Sequence, residues 1–396
     1  MKKLLVATSI AALAAGAAAA QDGPVKLGII FGFTGPIESL TPPMAGAAEL
    51  AMTEINEAGG VLGGRMLEPV RADSTCIDSA AATAAAERLI TSDGIAAIVG
   101  ADCSGVTSAI LANVAVPNGT VMISPSATSP ALSNAEDDGL FFRTSPSDAR
   151  QGQVLANILA DKGIEEVAVT YTNNDYGKGL ADSFQSSFEA AGGTVTAAIP
   201  HEDGKGDYSA EVGNLASAGG EALAVLGYAD QGGKGVIQSA LDTGAFDRFM
   251  MGDGMFAQTL MDSLGEFMDG SFGAVPWSVG EGAEAFRTVA TEAGVNADST
   301  FTRESYDAAA LIALAMEAAG SADSTIFKSE VMNVANAPGE TILPGELGKA
   351  LEIIRDGGEV DYVGATGVEL IGPGEAAGTY REYEVEDGAY QTVQFR

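Results

Sequence analysis

Small polar residues follow two predicted strands of the sequence, at the point where each strand ends. Ser104 comes after an apolar run over residues 95–100, and Ser126 and Thr128 come after a second run over residues 120–123. In open α/β sheets this edge binds ligands through hydroxyls, backbone amides and helix N-termini. These residues could therefore hold a carboxylate without a buried cation. The alternative is that they are ordinary helix caps and turn formers.

The sequence carries no enzyme motif. It has no Gly-x-Ser-x-Gly turn, no phosphate-binding Walker loop and no cluster of cysteines and histidines. The glycines within residues 232–235 lack the spacing of a dinucleotide-binding loop. The lone histidine, His201, falls in a predicted loop, where we expect it to be solvated. We therefore expect a protein that is not an enzyme and that uses no cofactor and no metal ion.

The first twenty residues have the three parts of a secretory signal peptide. Lys2 and Lys3 begin the segment, an apolar stretch follows over residues 4–15, and three alanines at 18–20 provide the cleavage site. A retained membrane anchor is the alternative for this segment. No later apolar run is long enough to span a bilayer, so we expect a soluble chain that is exported to the periplasm.

The formal net charge of −34 argues against nucleic acids and anionic lipid as partners. Phosphate backbones and acidic headgroups would be repelled by such a surface. The acidic residues are spread along the chain rather than gathered in one run, so the charge says little about the ligand.

Two cysteines, Cys76 and Cys103, are present in the whole sequence. An even pair in an exported chain indicates a disulfide. Closing the loop of about 28 residues between them would stabilise the fold by roughly 3–4 kcal/mol.

Strands and helices alternate along the chain in two series. Short apolar runs alternate with alanine-rich helical stretches over residues 25–123, and again from about residue 147 to 251. This pattern is typical of βαβ units and parallel sheets. The last third changes character, because helices over residues 283–355 give way to strands after residue 367. We expect these helices to complete the first unit and these strands to complete the second.

The sequence therefore predicts two doubly wound α/β lobes. The first lobe comprises residues 21–145 and 277–365, and the second comprises residues 146–276 and 366–396. Three hinge crossovers would connect the lobes, near residues 144–148, 274–279 and 364–367.

Several motifs, in order and at matching spacing, resemble those of the periplasmic leucine/isoleucine/valine-binding proteins. They extend over nearly the whole chain after the signal peptide and include Gly35-Pro36, Ile55-Asn56-Glu57-Ala58-Gly59-Gly60, Val99-Gly100-Ala101-Asp102-Cys103-Ser104-Gly105, Ser124-Pro125-Ser126-Ala127-Thr128, Phe142-Arg143-Thr144 and Asn174-Asp175-Tyr176-Gly177. The resemblance implies the type I periplasmic binding fold, in which two lobes close on a ligand. It also implies a component of an ABC importer that delivers its ligand to permease subunits.

The resemblance assigns the ligand's carboxylate and ammonium to particular residues. Ser104 and Thr128 would bind the carboxylate, and the Ser126 carbonyl and Thr128 would also meet the ammonium. Asp253 lies where the family places an acidic partner for the ammonium. The alternative for Asp253 is a turn-forming residue between two glycines.

The second lobe would contribute two aromatic residues to the same site. These are Tyr176 and Tyr228, although the loop after Tyr228 is one residue longer than usual. The pair Cys76 and Cys103 matches the family disulfide and would brace the strand end beside Ser104. Trp277, near the second crossover, would either line the cleft or pack in the hinge.

Two departures from the family pattern concern the identity of the ligand. The family acid is usually glutamate, and Asp253 is one methylene shorter. The first loop, residues 35–43, lacks an aromatic residue often found there and carries two additional prolines. We expect a monomer that binds a branched-chain amino acid. The alternatives are another amino acid, a γ-amino acid, an amide, urea or an aromatic acid, or a sensor that reports ligand occupancy to a signalling partner.

Overall fold

The computed structural model describes residues 23–396, and the predicted signal peptide, residues 1–20, lies outside this range. The strands of the described part are β1 Val25–Phe31, β2 Leu67–Asp73, β3 Ala97–Gly100, β4 Met122–Ser124, β5 Phe141–Arg143, β6 Glu166–Thr172, β7 Thr194–His201, β8 Ala222–Leu226, β9 Phe249–Met251, β10 Phe272–Pro276, β11 Glu340–Ile342, β12 Val360–Tyr362, β13 Leu370–Ile371, β14 Glu375–Ala376, β15 Tyr380–Glu386 and β16 Ala389–Phe395.

The α-helices of the same range alternate with these strands. They are α1 Thr41–Glu57, α2 Ser79–Arg88, α3 Ser104–Ile110, α4 Val116–Asn118, α5 Asp148–Lys162, α6 Asp175–Ala190, α7 Ser209–Ala218, α8 Gly232–Thr243, α9 Gln258–Leu264, α10 Glu281–Glu292, α11 Thr302–Ala319, α12 Ser324–Ala335 and α13 Leu347–Arg355. Helices α2 and α3 continue into wider π-type turns, Leu89–Asp93 and Leu111–Ala115.

The strands form two seven-stranded sheets, each the centre of one lobe. The strand order is β13-β14-β5-β4-β3-β1-β2 in the first sheet and β16-β15-β10-β9-β8-β6-β7 in the second. Strands β1 to β5 pair in parallel, as do β6 to β10. Strands β15 and β16 extend the second sheet in antiparallel fashion. A separate two-stranded parallel sheet joins β11 and β12.

The buried strands explain why the sequence alternates apolar runs with helices. Strands β3, β8 and β10 are buried along their whole length, as expected for parallel strands with helices on both faces. Helix α11 is buried on all sides over residues 302–316, because it packs against α1, α12 and the first sheet. The C-terminal helices therefore belong to the first lobe.

The chain passes between the two sheets after β5, after β10 and after β14. The sequence pattern predicts the third passage near residues 364–367 and residues 366–396 in the second lobe. In the structure, β13 and β14 lie in the first sheet, where Glu375 pairs with Arg143 of β5. These short strands cover the edge of β5, so the third passage falls between β14 and β15, at residues 377–379.

Within residues 23–396, no single helix is long and apolar enough to cross a membrane. Helices α11 and α12 reach that length and composition only as a pair, which is bent by 111°.

Candidate ligand-binding cavity

A cavity lies between the two lobes, at the carboxyl ends of their parallel strands. Its empty volume, with the open mouth included, is about 340 Å³. The residues that line it come from both lobes and are Ile37, Leu40, Met44, Asp102, Cys103, Ser104, Ser126, Tyr176, Tyr228, Asp253, Gly254 and Phe301. Five of the six residues predicted for the ligand site therefore share one cavity. The sixth, Thr128, does not line it but is buried nearby.

The hydroxyls of the first lobe are held in place by hydrogen bonds within the strand-end loops. Ser104 begins α3, and its Oγ accepts a hydrogen bond of 3.1 Å from the amide of Ser129. Ser126 Oγ donates to the carbonyl of Asp102 at 3.0 Å. The buried hydroxyl of Thr128 makes no hydrogen bond within residues 23–396. Thr128 thus keeps a polar group free for another partner.

Asp102 lines the cavity and connects the ends of three strands. Its carboxylate accepts hydrogen bonds from the Gly32 amide at 2.6 Å, the Ser74 hydroxyl at 3.0 Å and the Cys103 amide at 3.0 Å. Burial raises the pKa of Asp102, and these hydrogen bonds oppose that shift. Asp102 was not among the predicted site residues, although its position between the end of β3 and Ser104 could have indicated a role.

The predicted disulfide joins Cys76 and Cys103, whose Cα atoms are 5.2 Å apart. Cys103 immediately precedes Ser104, and Cys76 follows β2. The disulfide therefore fixes the start of α3 to the neighbouring strand end.

The second lobe presents two stacked tyrosines and a buried acid. The rings of Tyr176 and Tyr228 stack with their centroids 5.1 Å apart. The Tyr176 hydroxyl donates to Asp253 Oδ1 at 2.7 Å and accepts from the Gly254 amide at 3.1 Å. Asp253 is only 2% exposed. Tyr176 therefore fixes the orientation of the carboxylate at the wall of the cavity.

The charge of Asp253 has no basic partner among the described residues. Burial raises the pKa of Asp253, and hydrogen bonds from Tyr176 and nearby backbone amides oppose that shift. No ion pair with a lysine or an arginine includes Asp253 in residues 23–396. A buried carboxylate in this position suits a cation supplied by a ligand.

An apolar wall from the first lobe completes the cavity. Ile37 and Leu40 lie in the first loop, Met44 lies in α1, and Phe301 precedes α11. All four are nearly fully buried. None of the four was predicted from the sequence. Ile37 and Leu40 carried a weak signal as apolar residues within a loop, but Phe301 is more than 250 residues away from that loop along the chain.

Trp277 and His201 lie outside this cavity. Trp277 packs at the second crossover between Arg303, at 4.2 Å from the ring centroid, and Arg381, at 5.0 Å. His201 is buried at the end of β7, so the prediction that it is solvated was wrong. Thr170 Oγ1 lies 2.8 Å from His201 Nδ1 and donates to the Ile199 carbonyl, which leaves His201 Nδ1 as the donor to Thr170.

A metal ion has no evident site in the described part of the chain. Within residues 23–396, no group of three or more His, Cys, Asp or Glu side chains is arranged to hold one.

The fold and the cavity together define a two-lobed solute-binding protein. The sequence model of the family described as periplasmic binding protein matches residues 24–345. A leucine-, isoleucine-, valine-, threonine- and alanine-binding protein from Pseudomonas aeruginosa is 28% identical over 326 residues, which cover 82% of this chain and 85% of the relative. A substrate-binding protein of a chemotactic signal transduction system from Halobacterium salinarum is 28% identical over 379 residues, which cover 93% and 89%.

Solved structures agree with this assignment of the fold. A leucine-binding protein from Thermotoga maritima superposes with a TM-score of 0.77 at 23% identity, covering 94% of this chain and 98% of that one. A solute-binding protein of an ABC transporter from Rhodopseudomonas palustris, in complex with p-hydroxybenzoic acid, gives 0.75 at 19% identity and covers 94% and 97%. The predicted type I periplasmic binding fold is confirmed. The chain belongs to the periplasmic leucine/isoleucine/valine-binding protein family.

Proposed function

We propose that this chain is the solute-binding component of an ABC importer and that it encloses a branched-chain amino acid between its lobes. The observation that carries the proposal is the placement of the buried Asp253 of the second lobe and the hydroxyls of the first lobe around one cavity. An α-amino acid carries its carboxylate and its ammonium on the same carbon atom. Its binding site therefore needs an acceptor or negative charge and a set of hydrogen-bond donors within a few atoms of each other.

The polar ends of the ligand are matched by different lobes. Ser104, the loop of Ser126 and the hydroxyl of Thr128 supply hydrogen-bond partners for the carboxylate. Asp253, oriented by Tyr176, supplies the charge for the ammonium. A solute that lacks either the carboxylate or the ammonium would leave buried polar groups of the site unpaired. The free-energy cost of those unpaired groups makes the site selective.

The side chain of the ligand would pack on the apolar wall of Ile37, Leu40, Met44 and Phe301. A branched aliphatic group buries apolar surface there without requiring a hydrogen bond. This wall favours leucine, isoleucine or valine over a solute with a polar side chain, such as an amide, and over urea.

The predicted signal peptide directs the chain to the periplasm, where the closed, ligand-bound form would dock on permease subunits. The protein would act as a monomer, without a cofactor, and would release its ligand chemically unchanged.

Two other functions each have an observation in their favour. A protein of similar fold holds p-hydroxybenzoic acid, so an aromatic acid is one candidate ligand. Such a ligand has no ammonium for Asp253, which counts against it. A relative from Halobacterium salinarum belongs to a chemotactic system, so signalling is a candidate role for the same ligand-binding step.

A thermal-shift screen of ligand-stripped protein tests the proposal. The compounds are leucine, isoleucine, valine, alanine, γ-aminobutyrate, urea and 4-hydroxybenzoate. A ligand present at about 100 times its Kd stabilises the folded state by about 2.7 kcal/mol. We expect the three branched-chain amino acids to give the largest shifts. Stabilisation by 4-hydroxybenzoate alone would replace the amino-acid assignment with an aromatic-acid one.

A further inference from the structure

The start of α11 and the two residues before it reach from the first lobe to the second. The Thr300 hydroxyl donates to the carbonyl of Phe256 at 2.7 Å, and the guanidinium carbon of Arg303 lies 4.2 Å from the ring centroid of Trp277. Phe256 follows β9 and Trp277 directly follows β10, so both are carried by the second sheet. This segment therefore contacts the second lobe on both sides of Phe301, which lines the cavity.

Arg303 is a buried cation whose main partner is that aromatic ring. Its side chain is 3% exposed, and its Nε makes no hydrogen bond within residues 23–396. Its one ion pair among these residues, with Asp298, is 3.5 Å long, and Asp298 also pairs with Arg287 at 3.0 Å. A buried charge needs compensation, and the face of a tryptophan ring attracts a guanidinium most strongly where water is excluded. Trp277 therefore stabilises Arg303 in this position.

Trp277 is fixed to the second lobe independently of Arg303. Its amide donates to the Thr379 carbonyl at 3.0 Å, and its carbonyl accepts from the Thr379 hydroxyl at 2.6 Å. Arg381 also lies over the ring, and it pairs with Val275 of β10 within the second sheet. A rotation of the lobes would therefore keep Arg381 at the ring and draw Arg303 away from it.

Phe301, between the two contacts, has a left-handed backbone conformation with a φ of 61°. A bulky residue rarely adopts this conformation, which persists only where neighbouring contacts hold it. The contacts that Thr300 and Arg303 make with the second lobe lie on either side of Phe301 and hold its backbone there. The position of the Phe301 ring at the cavity is thus connected with the contact between the lobes.

We propose that Arg303 is an interlobe latch, which closes on the ring of Trp277 when the lobes enclose a ligand. The hydrogen bond from Thr300 to Phe256 is the second point of contact of this latch. None of these four residues lines the cavity, so the latch stabilises the closed form without touching the ligand. Because it opposes reopening, it slows the dissociation of an enclosed ligand and leaves the association rate nearly unchanged.

The inference rests on the proposed function only in requiring that the lobes enclose a ligand. Neither the carboxylate nor the ammonium of an amino acid takes part in the latch. It would form equally around 4-methylpentanoate, which has the shape of leucine without its amino group. A failure of the latch and a failure of the proposed ligand are therefore distinguishable.

A double-mutant cycle on Arg303 and Trp277 tests the latch, with titration calorimetry of leucine as the measurement. Arg303→Met keeps an unbranched side chain and removes the charge, and it should weaken leucine binding about fivefold to thirtyfold, as expected for a buried cation–π contact. Trp277→Leu should weaken binding at least as much, and Arg303→Met should have no further effect in that background. Trp277→Phe keeps an aromatic face and should lose less affinity than Trp277→Leu.

Arg287→Met is the matched control for the charge. Arg287 pairs with the same Asp298 as Arg303 does, but it is exposed and lies over no aromatic ring within the described residues. Arg287→Met should therefore bind leucine like wild type, which separates the loss of the ring contact from the loss of an ion pair with Asp298.

A disulfide across the cleft provides a measurement that needs no ligand. Ser39 Oγ and Thr259 Oγ1, from different lobes, lie 3.3 Å apart, so Ser39→Cys combined with Thr259→Cys should lock the lobes closed when oxidised. Trp277 is the only tryptophan of the chain, so the tryptophan fluorescence reports its exposure alone. Acrylamide should quench it much less in the oxidised protein than after mild reduction, which spares the buried native disulfide. Adding Arg303→Met should raise the quenching of the oxidised form.

Each result decides the inference. Additive losses from Arg303→Met and Trp277→Leu, or wild-type affinity in Arg303→Met, would overturn the latch and leave the proposed function intact. If leucine, isoleucine and valine all failed to bind, the proposed function would fall, and the locked protein would decide the latch alone. Equal quenching of its oxidised and reduced forms would then overturn the latch, whether or not Arg303→Met folds.

Discussion

Asp230 of the second lobe accepts a hydrogen bond of 2.9 Å from the backbone amide of Ser39 in the first lobe. The other carboxylate oxygen of Asp230 accepts from the hydroxyl of Thr259 at 2.8 Å, and the Asp230 amide donates to the carbonyl of Pro36 at 3.1 Å. Ser39 and Pro36 belong to the proline-rich first loop, and Asp230 belongs to the loop after Tyr228. These two loops therefore meet and hold the lobes together.

Replacement of Asp230 should weaken the closed form. Asp230→Ala removes the hydrogen bond from the Ser39 amide, which exists only when the lobes touch, at a cost of about 1–2 kcal/mol. We expect ligand to dissociate about fivefold to thirtyfold faster, with little change in the association rate. Stopped-flow fluorescence would measure both rates.

Asp262→Ala is the matched control for that experiment, because Asp262 is an exposed acid of α9 whose side chain bonds only to Gln258 within the described residues. Equal dissociation rates for Asp230→Ala and wild type would show that this contact does not hold the lobes closed.

The disulfide should matter more for stability than for binding. Removing it with Cys76→Ser and Cys103→Ser frees a loop of about 28 residues in the unfolded chain, so we expect the free energy of unfolding to fall by roughly 3–4 kcal/mol. Ser104 would still be positioned by the hydrogen bonds of Asp102 and Ser129. Urea denaturation and ligand titration would measure the two effects.

Native, unreduced protein provides the companion measurement. Its mass should show both cysteines oxidised. Two free thiols in that material, or a loss of affinity without a loss of stability, would contradict this account of the disulfide.

His201 should make the protein less stable as the pH falls. Burial lowers the pKa of His201 to about 4, from about 6.5 in an unfolded chain. The folded state therefore keeps the imidazole neutral. The stabilisation that neutral His201 gives the folded state is complete above about pH 6.5. It is lost as the pH drops from there to about 4, by about 3 kcal/mol in total.

A variant that cannot titrate isolates this contribution. The free energies of unfolding of wild type and His201→Gln, measured by denaturant across that pH range, should differ by an amount that changes by about 3 kcal/mol. Parallel curves for the two proteins would mean that His201 does not titrate in this way.

Most of the fold could be predicted from the local pattern of apolar residues in the sequence. The apolar run of β1 and the helical spacing of α1 are encoded within each segment, and the alternation of such segments indicates parallel sheets. Strands β13 and β14 are two residues long and therefore have no periodicity to detect. Their place in the first sheet depends on pairing with β5, which is more than 200 residues away along the chain.

The site was predictable where strand ends carry polar residues, as at Ser104 and Ser126. The wall that includes Phe301 was not, because it forms only when distant segments pack. The burial of His201 likewise depends on neighbours supplied by other strands.

The central claim is that Asp253 of the second lobe recognises the ammonium of an amino acid held in the interlobe cavity. Titration calorimetry of wild type and Asp253→Asn with leucine and with 4-methylpentanoate tests it most directly, because the substitution keeps the shape of the side chain and removes its charge. We predict that Asp253→Asn loses roughly 30-fold to several-thousand-fold in affinity for leucine, the effect of leaving a buried charge without its partner, and changes little for 4-methylpentanoate. Near-equal affinities of the two proteins for leucine would contradict the claim.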